Sequence, residues 1–204
     1  MNDIFTVYTA YTVLLDILKR RGFDVSEYEG FSKTQVAGMM ASNQMDLLLK
    51  SPTKKVYVRY ELLHAPDVLK IAEQFFEPLD DTPPILTHED DLIIVSKDGA
   101  NDSKIEIMND LWENRKLYMS IFSLADLQFN KFKAALVPSN IEILNEDETR
   151  EFKSKYYVQD LSQLPTINRY DPIASLLGVR PTQICKFQRD SVAALTLDFY
   201  RVCI

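Results

Sequence analysis

Only two cysteines, two histidines and five glycines occur among 204 residues, and each scarcity removes a class of chemistry. Cys185 and Cys203 lie far apart with no CxxC spacing and no histidine beside them, so neither a zinc site nor a disulfide framework is implied. Both are expected as small buried apolar residues on strands, in a reducing compartment. The few glycines form no GxGxxG or GxxxxGK stretch, which excludes a glycine-rich phosphate loop. His64 and His88 have no serine or cysteine nucleophile in a recognisable context, and surface or half-buried positions are expected for both. A long apolar run is also missing. The stretch from Ile4 to Leu18 is broken by Tyr, Thr and Asp and followed by Lys19-Arg20-Arg21, so it reads as neither a signal peptide nor a membrane span. Positive charge is in deficit as well: 23 Lys and Arg against 30 Asp and Glu leave a net charge of −7. A protein that grips DNA unaided usually carries a basic face, because phosphate neutralisation supplies most of that affinity. Tight binding to DNA by this chain alone is not expected.

What is present is most distinctive in residues 164–204. Asp171 before Pro172 is a helix start, since the carboxylate accepts orphan amide hydrogens and proline at the first helical position lacks one. The helix, 173–177, is short because Gly178 stands where a residue of positive φ is wanted. Two alternating runs follow, 183–189 and 196–204, and read as a strand pair joined by an open connection over 190–194 with no Asn-Gly or Gly-Gly turn. Five basic residues (Arg169, Arg180, Lys186, Arg189, Arg201) outnumber three acidic ones (Asp171, Asp190, Asp198) in this part, so the acidity lies upstream.

Upstream, Val7, Tyr8, Tyr11, Leu14, Leu15 and Leu18 make the apolar stripe of a helix over 5–21 that ends at Gly22. A shorter helix is predicted over 32–41, capped by Ser32, with Gln35, Val36, Met39 and Met40 on its face. The Met39-Met40-Met45 group is expected in packing rather than as a partner patch. Residues 45–50 and 56–63 read as a hairpin, and Asp67 opens a helix ending before Pro78. The connection 77–91 is proline-rich and acidic. Its His88-Glu89-Asp90-Asp91 cluster lacks the alternating ligands and glycine bend of a hard-metal loop, and a solvated loop is expected. Leu92-Ile93-Ile94-Val95 is a strand buried on both faces; a helix over 103–114, capped by Asn101 or Asp102, and a strand over 116–122 complete a right-handed parallel crossover. Trp112 is expected against this sheet.

The set Leu164-Pro165, Ile167, Asp171-Pro172, Ala174, Gly178, Lys186, Arg189, Ser191 and Tyr200-Arg201, extending upstream through Leu136-Val137-Pro138 and the acidic helix start 145–148, resembles the fifth of the subunits shared by the eukaryotic nuclear RNA polymerases. The C-terminal domain of that family is similar to a small component of the archaeal RNA polymerase that consists of essentially this domain. The sequence departs from the family pattern at Thr166, at Arg180-Pro181-Thr182 and at Ser191-Val192-Ala193-Ala194, which suits a divergent polymerase such as that of a large DNA virus. The resemblance implies an N-terminal jaw domain over 1–137 and a C-terminal α+β assembly domain over 138–204. The jaw domain would be an α/β layer around a small mixed sheet, three-layer-like, of restriction-endonuclease-like shape without an active site. It implies a non-catalytic subunit that needs no cofactor and no metal. Its partners would be the largest polymerase subunit, neighbouring small subunits, initiation factors and, weakly, downstream DNA, with no membrane. The interface would be carried by Leu164, Pro165, Asp171, Pro172, Gly178, Arg180, Lys186, Arg189, Tyr200 and Arg201. The loop 97–104 would approach DNA through Lys97, Ser103 and Lys104. Location would be nuclear for a cellular protein, and cytoplasm or virion for a viral one.

A stand-alone nuclease-fold DNA-binding protein is the competing reading, because a helix, a hairpin and a strand-helix-strand also make the core of such enzymes. They need one acidic residue on the first strand and a carboxylate two residues before a lysine on the next, to hold a divalent ion and assist water. Asp46 fits the first position. Tyr57-Val58-Arg59 supplies neither the second carboxylate nor the lysine, and Glu61 is off register.

Overall fold

Apolar residues at spacings of three and four build α1 (Ile4–Arg20), which buries Val7, Tyr11, Leu14, Leu15 and Leu18 along one stripe. The Asp3 carboxylate caps its start by accepting from the Phe5 amide, and Gly22 at φ 85° turns the chain away after Arg21. The computed structural model describes residues 3–77, 83–138, 140–191 and 193–204. Its backbone divides into two compact units, Met1–Asn130 and Lys131–Ile204.

In the first unit α2 (Lys33–Ala41) begins with a reciprocal capping box between Ser32 and Gln35. Val36 is its buried residue; Met39 and Met40 are half-buried and Gln35 is exposed, so the expected face is narrower than the sequence suggested. β1 (Leu47–Lys50) and β2 (Lys55–Glu61) form an antiparallel hairpin. α3 (Val68–Phe76), capped by Asp67, leads to β3 (Asp91–Ser96), which lies parallel to β2. The expected stop at Pro78 lies outside the described residues. α4 (Asp102–Arg115), capped by Asn101, leads to β4 (Tyr118–Ser123), parallel to β3. The sheet order is β1-β2-β3-β4. Every residue of β3 and β4 is buried, so both faces of the sheet are covered at these strands, which is why residues 92–95 run apolar without alternation while Ser96, Ser120 and Ser123 are small polar residues. Trp112 meets Tyr118 of β4 edge to face at 6.2 Å.

The His88-Glu89-Asp90-Asp91 cluster departs from the solvated loop expected of it. His88 and Glu89 are exposed, but Asp90 is 3% and Asp91 0% exposed. Asp90 accepts from the Lys55 amide at 2.6 Å and from the amide and hydroxyl of Thr87 at 2.8 and 2.9 Å. Asp91 pairs with the buried guanidinium of Arg21 and with Lys54 Nζ at 2.7 Å. Buried charges persist where paired partners and hydrogen bonds replace water.

The second unit holds β5 (Asn140–Ile143), α5 (Glu146–Tyr156), β6 (Thr166–Ile167), α6 (Pro172–Leu177), β7 (Ile184–Ser191) and β8 (Leu195–Cys203). Its sheet runs β5-β7-β8-β6, antiparallel except for the β6–β8 pair. The strand pair read from the sequence is thus the centre of a four-stranded sheet. Its connection is also shorter than the open loop expected over 190–194: Ser191 already faces Leu195 across the ladder, with Leu195 at φ 61° closing the turn. α5 starts with a capping box between Asn145 and Glu148 and buries Phe152. α6 buries Ala174, Leu176 and Leu177, each leucine contributing about 1.5–3 kcal/mol. The whole is a mixed α+β fold with two small mixed sheets.

Candidate functional site

The C-terminal residues singled out by the sequence fall into three places. The first is the frame of α6. Asp171 accepts from the amides of Ile173 at 2.9 Å and Ala174 at 3.5 Å, exposed Pro172 occupies the first helical position, and Gly178 at φ 73° ends the helix. Gly178 is buried, so it sets where α6 stops rather than meeting a partner. Arg180, half-buried, donates its amide to Gln183 Oε1 at 2.8 Å. Leu164 and Pro165 lead into β6, and the Pro165 carbonyl accepts from the Val202 amide at 2.9 Å.

The second and third places are opposite faces of the β7–β8 ladder. Lys186 stands directly across from Tyr200, on the face where Lys186 Nζ reaches Asp198 at 3.3 Å. Tyr200 packs on Phe152 and Tyr156 of α5 at 4.3 and 5.7 Å between ring centres. Burial, with the neighbouring Tyr156 phenol and Asp198 charge, pushes the Tyr200 phenol up to about 12. Arg189 and Arg201 point to the other face, because each is an odd number of residues from Lys186 or Tyr200. Both are exposed; Arg189 lies over the Phe199 ring at 5.4 Å and Arg201 donates to the Thr166 carbonyl at 3.0 Å. Sequence reasoning missed the neighbours on this face. Leu195, Leu197 and Phe199 are 87%, 46% and 46% exposed. Their alternation was visible, but alternation alone does not tell an inward row from an outward one.

In the first unit, the loop 97–104 leaves β3 and enters α4. Lys97 is exposed, as is Ser103. Lys104 is not extended outward: its Nζ lies 3.4 Å from the Gly99 carbonyl, and its amide is taken by the Asn101 cap at 3.0 Å. The loop therefore offers Lys97 and the Ser103 hydroxyl outward more than it offers Lys104.

The positions a nuclease would use do come together. Asp46 accepts from Arg59 at 2.6 Å, from the Tyr57 hydroxyl at 3.1 Å and from the Tyr60 amide at 3.0 Å, while Arg59 also reaches Glu61 at 3.4 Å. Burial, with Asp46 close by, raises the Tyr57 phenol to about 12, so this position carries a neutral hydroxyl where a second carboxylate would be needed. No cluster of three or more potential metal-binding side chains occurs among the described residues. No helix among them is long and apolar enough to cross a membrane.

Comparison with known proteins gives this geometry its context. The family model for the RNA polymerase Rpb5 C-terminal domain matches residues 129–203. DNA-directed RNA polymerase subunit Rpo5 of Thermococcus celer is 36% identical over 77 residues, covering 38% of this chain and 92% of that protein. The subunit rpabc1 of DNA-directed RNA polymerases I, II, and III from Dictyostelium discoideum is 24% identical over 205 residues, the full length of both chains. The corresponding subunit of Caenorhabditis briggsae is 31% identical over 112 residues, 55% of this chain and 51% of that one. With a second unit whose frame and sheet are set by the residues that carry the likeness, and a relative matched over nearly its whole length, the chain belongs to the Rpb5 family of DNA-directed RNA polymerase subunits.

Proposed function

We propose that this chain is a non-catalytic structural subunit of a multisubunit DNA-directed RNA polymerase, entering the enzyme through its second unit. Nucleotide chemistry belongs to other subunits; this chain contributes surfaces. The observation that carries the reading is the match to the Rpb5 C-terminal domain over residues 129–203, nearly the span of the unit Lys131–Ile204. An archaeal polymerase subunit of which 92% aligns with a 77-residue stretch of this chain supports a single small domain as enough for assembly. On this reading the exposed Pro165, Pro172, Arg189 and Arg201 meet the largest subunit or its small neighbours, and Asp171 and Gly178 hold α6 in place for them. Initiation factors would be met by the first unit. The domains expected over 1–137 and 138–204 would then be a jaw and an assembly module, with the loop 97–104 beside downstream DNA. A nuclease-like shape of the first unit accords with the convergence of Asp46, Tyr57 and Arg59. Nuclear location follows for a cellular enzyme, and cytoplasm or virion for a viral one.

The test is co-purification of the tagged chain and two truncations. Full-length chain and residues 131–204 should bring down the large polymerase subunits, while 1–130 should not. Assembly of the 1–130 piece alone would overturn the assignment of the interface. A full-length chain that purifies alone and degrades DNA with Mg²⁺ would favour the nuclease reading.

A further inference from the structure

β8 is nine residues long, but its outer neighbour β6 covers only its last part, pairing with Val202 and Cys203. The Val202 amide points to that outer side, since it donates to Pro165. Backbone groups alternate sides along a strand, so the amides and carbonyls of Asp198 and Tyr200 point the same way, while those of Leu197, Phe199 and Arg201 serve the ladder with β7. Among the described residues, 197–201 therefore present an open sheet edge, while the Thr196 amide on the same side donates to the Ala194 carbonyl at 2.6 Å. One side of that edge carries Leu195, Leu197 and Phe199 in a row that ends in Arg201, and Arg189 flanks the row from β7. Natural edges of this length are usually blunted by proline, inward charge or a covering element. An exposed edge beside an exposed apolar row is the form that accepts an added strand, with main-chain bonds giving affinity and alternate side chains giving specificity.

We propose that the β8 edge over residues 197–201 seats an extended segment of another polypeptide, which joins the sheet as a fifth strand. The segment has apolar side chains at alternate positions against Leu197 and Phe199, with Leu195 beyond them, and an acidic residue at the Arg201 end. A second copy of this chain fits poorly. Its own β8 presents Leu195, Leu197, Phe199 and Arg201 on that face, and no acidic residue to meet the Arg201 end. This inference rests on reading the second unit as the assembly unit, and it names the chemistry of that contact.

Hydrogen exchange resolved to single amides, on the full chain free and within the purified polymerase, tests it. The Asp198 and Tyr200 amides should exchange rapidly in the free chain and slow by at least about tenfold in the complex. Unchanged exchange at both, in a complex that contains the chain, overturns the proposal. A chain that never co-purifies with large polymerase subunits overturns the parent reading instead. Asp198→Pro removes an outward amide while leaving the β7 ladder its bonds, a position where a strand tolerates proline; Asp198→Ala keeps that amide. Incorporation should fall at least about tenfold for the proline variant relative to the alanine variant, as for other strand-addition contacts. Equal incorporation of the two, both folded, counts against the edge. Should the proline variant fail to fold, the exchange comparison on the unaltered chain decides alone.

Discussion

Gly178 sits at φ 73°, a conformation that costs a Cβ-bearing residue free energy, and it is buried. Gly178→Val should lose about 1–3 kcal/mol in denaturant unfolding from backbone strain alone, and Asp171→Ala about 1 kcal/mol from the lost cap. Full stability of Gly178→Val would show that the turn relaxes without cost. The two thiols make a separate prediction. Burial pushes Cys185 from its ordinary 9.0 up to about 12 and Cys203 up to about 11, the Cys203 shift being partly offset by the Arg169 charge. The unfolded chain thus releases these protons first. Their contribution to stability is complete below pH 9 and declines as the pH rises towards 11 to 12. A Cys185→Ala, Cys203→Ala double variant should show a shallower loss of stability between pH 9 and 11 than the unaltered chain. Parallel slopes for the two proteins would contradict this.

Among elements, the pin at Asp91 joins three of them: the end of α1 through Arg21, the β1–β2 turn through Lys54, and the start of β3. Removing the carboxylate leaves the Arg21 guanidinium, 5% exposed, without its countercharge. Breaking such a buried pair is commonly destabilising by about 3–5 kcal/mol. Asp91→Ala should unfold at clearly lower denaturant, whereas Lys54→Ala, with the more exposed partner, should cost less. Equal losses for the two would mean that burial does not set the cost. This pin also shows where sequence reading ran out. Helix and strand positions set by local pattern were legible: the stripe of α1, the caps at Ser32, Asp67, Asn101 and Asp171, and the apolar run 92–95 of β3. Asp91 looked like a loop acid because its partners are 37 and 70 residues away. β5 and β6 went unassigned for a related reason: strands of four and two residues carry too little pattern, and exist because β7 and β8 offer them edges. At the candidate interface the residues were legible but their sides were not. The sheet sends Lys186 and Tyr200 one way and Arg189 and Arg201 the other, and the apolar row beside the arginines faces outward.

For the molecule as a whole, a net charge of −7 disfavours tight binding to DNA by this chain alone, so a contact with DNA would be a local one. Under the reading that places the loop 97–104 beside downstream DNA, Lys97 and the Ser103 hydroxyl, with the start of α4, are the groups available to a phosphate. Asp98 and Asp102 oppose them, so on that reading the contact would be weak and would position the duplex without reading bases. Lys104 is turned back onto the Gly99 carbonyl, which makes its share the smaller. Each phosphate contact contributes close to one unit to the slope of log affinity against log salt. Lys97→Ala should therefore lower the salt slope of the assembled elongation complex by about one unit, and Lys97→Ala with Lys104→Ala by at most about two, with incorporation unchanged. The Ser96 hydroxyl donates to the Asp98 carbonyl at 2.6 Å and the Asn101 side chain caps α4, contacts that need neither lysine side chain, so losing the lysines should not disturb the loop's path. An unchanged slope with the double variant fully incorporated would remove the loop from the DNA and leave the second unit as the only part of this chain with an assigned contact.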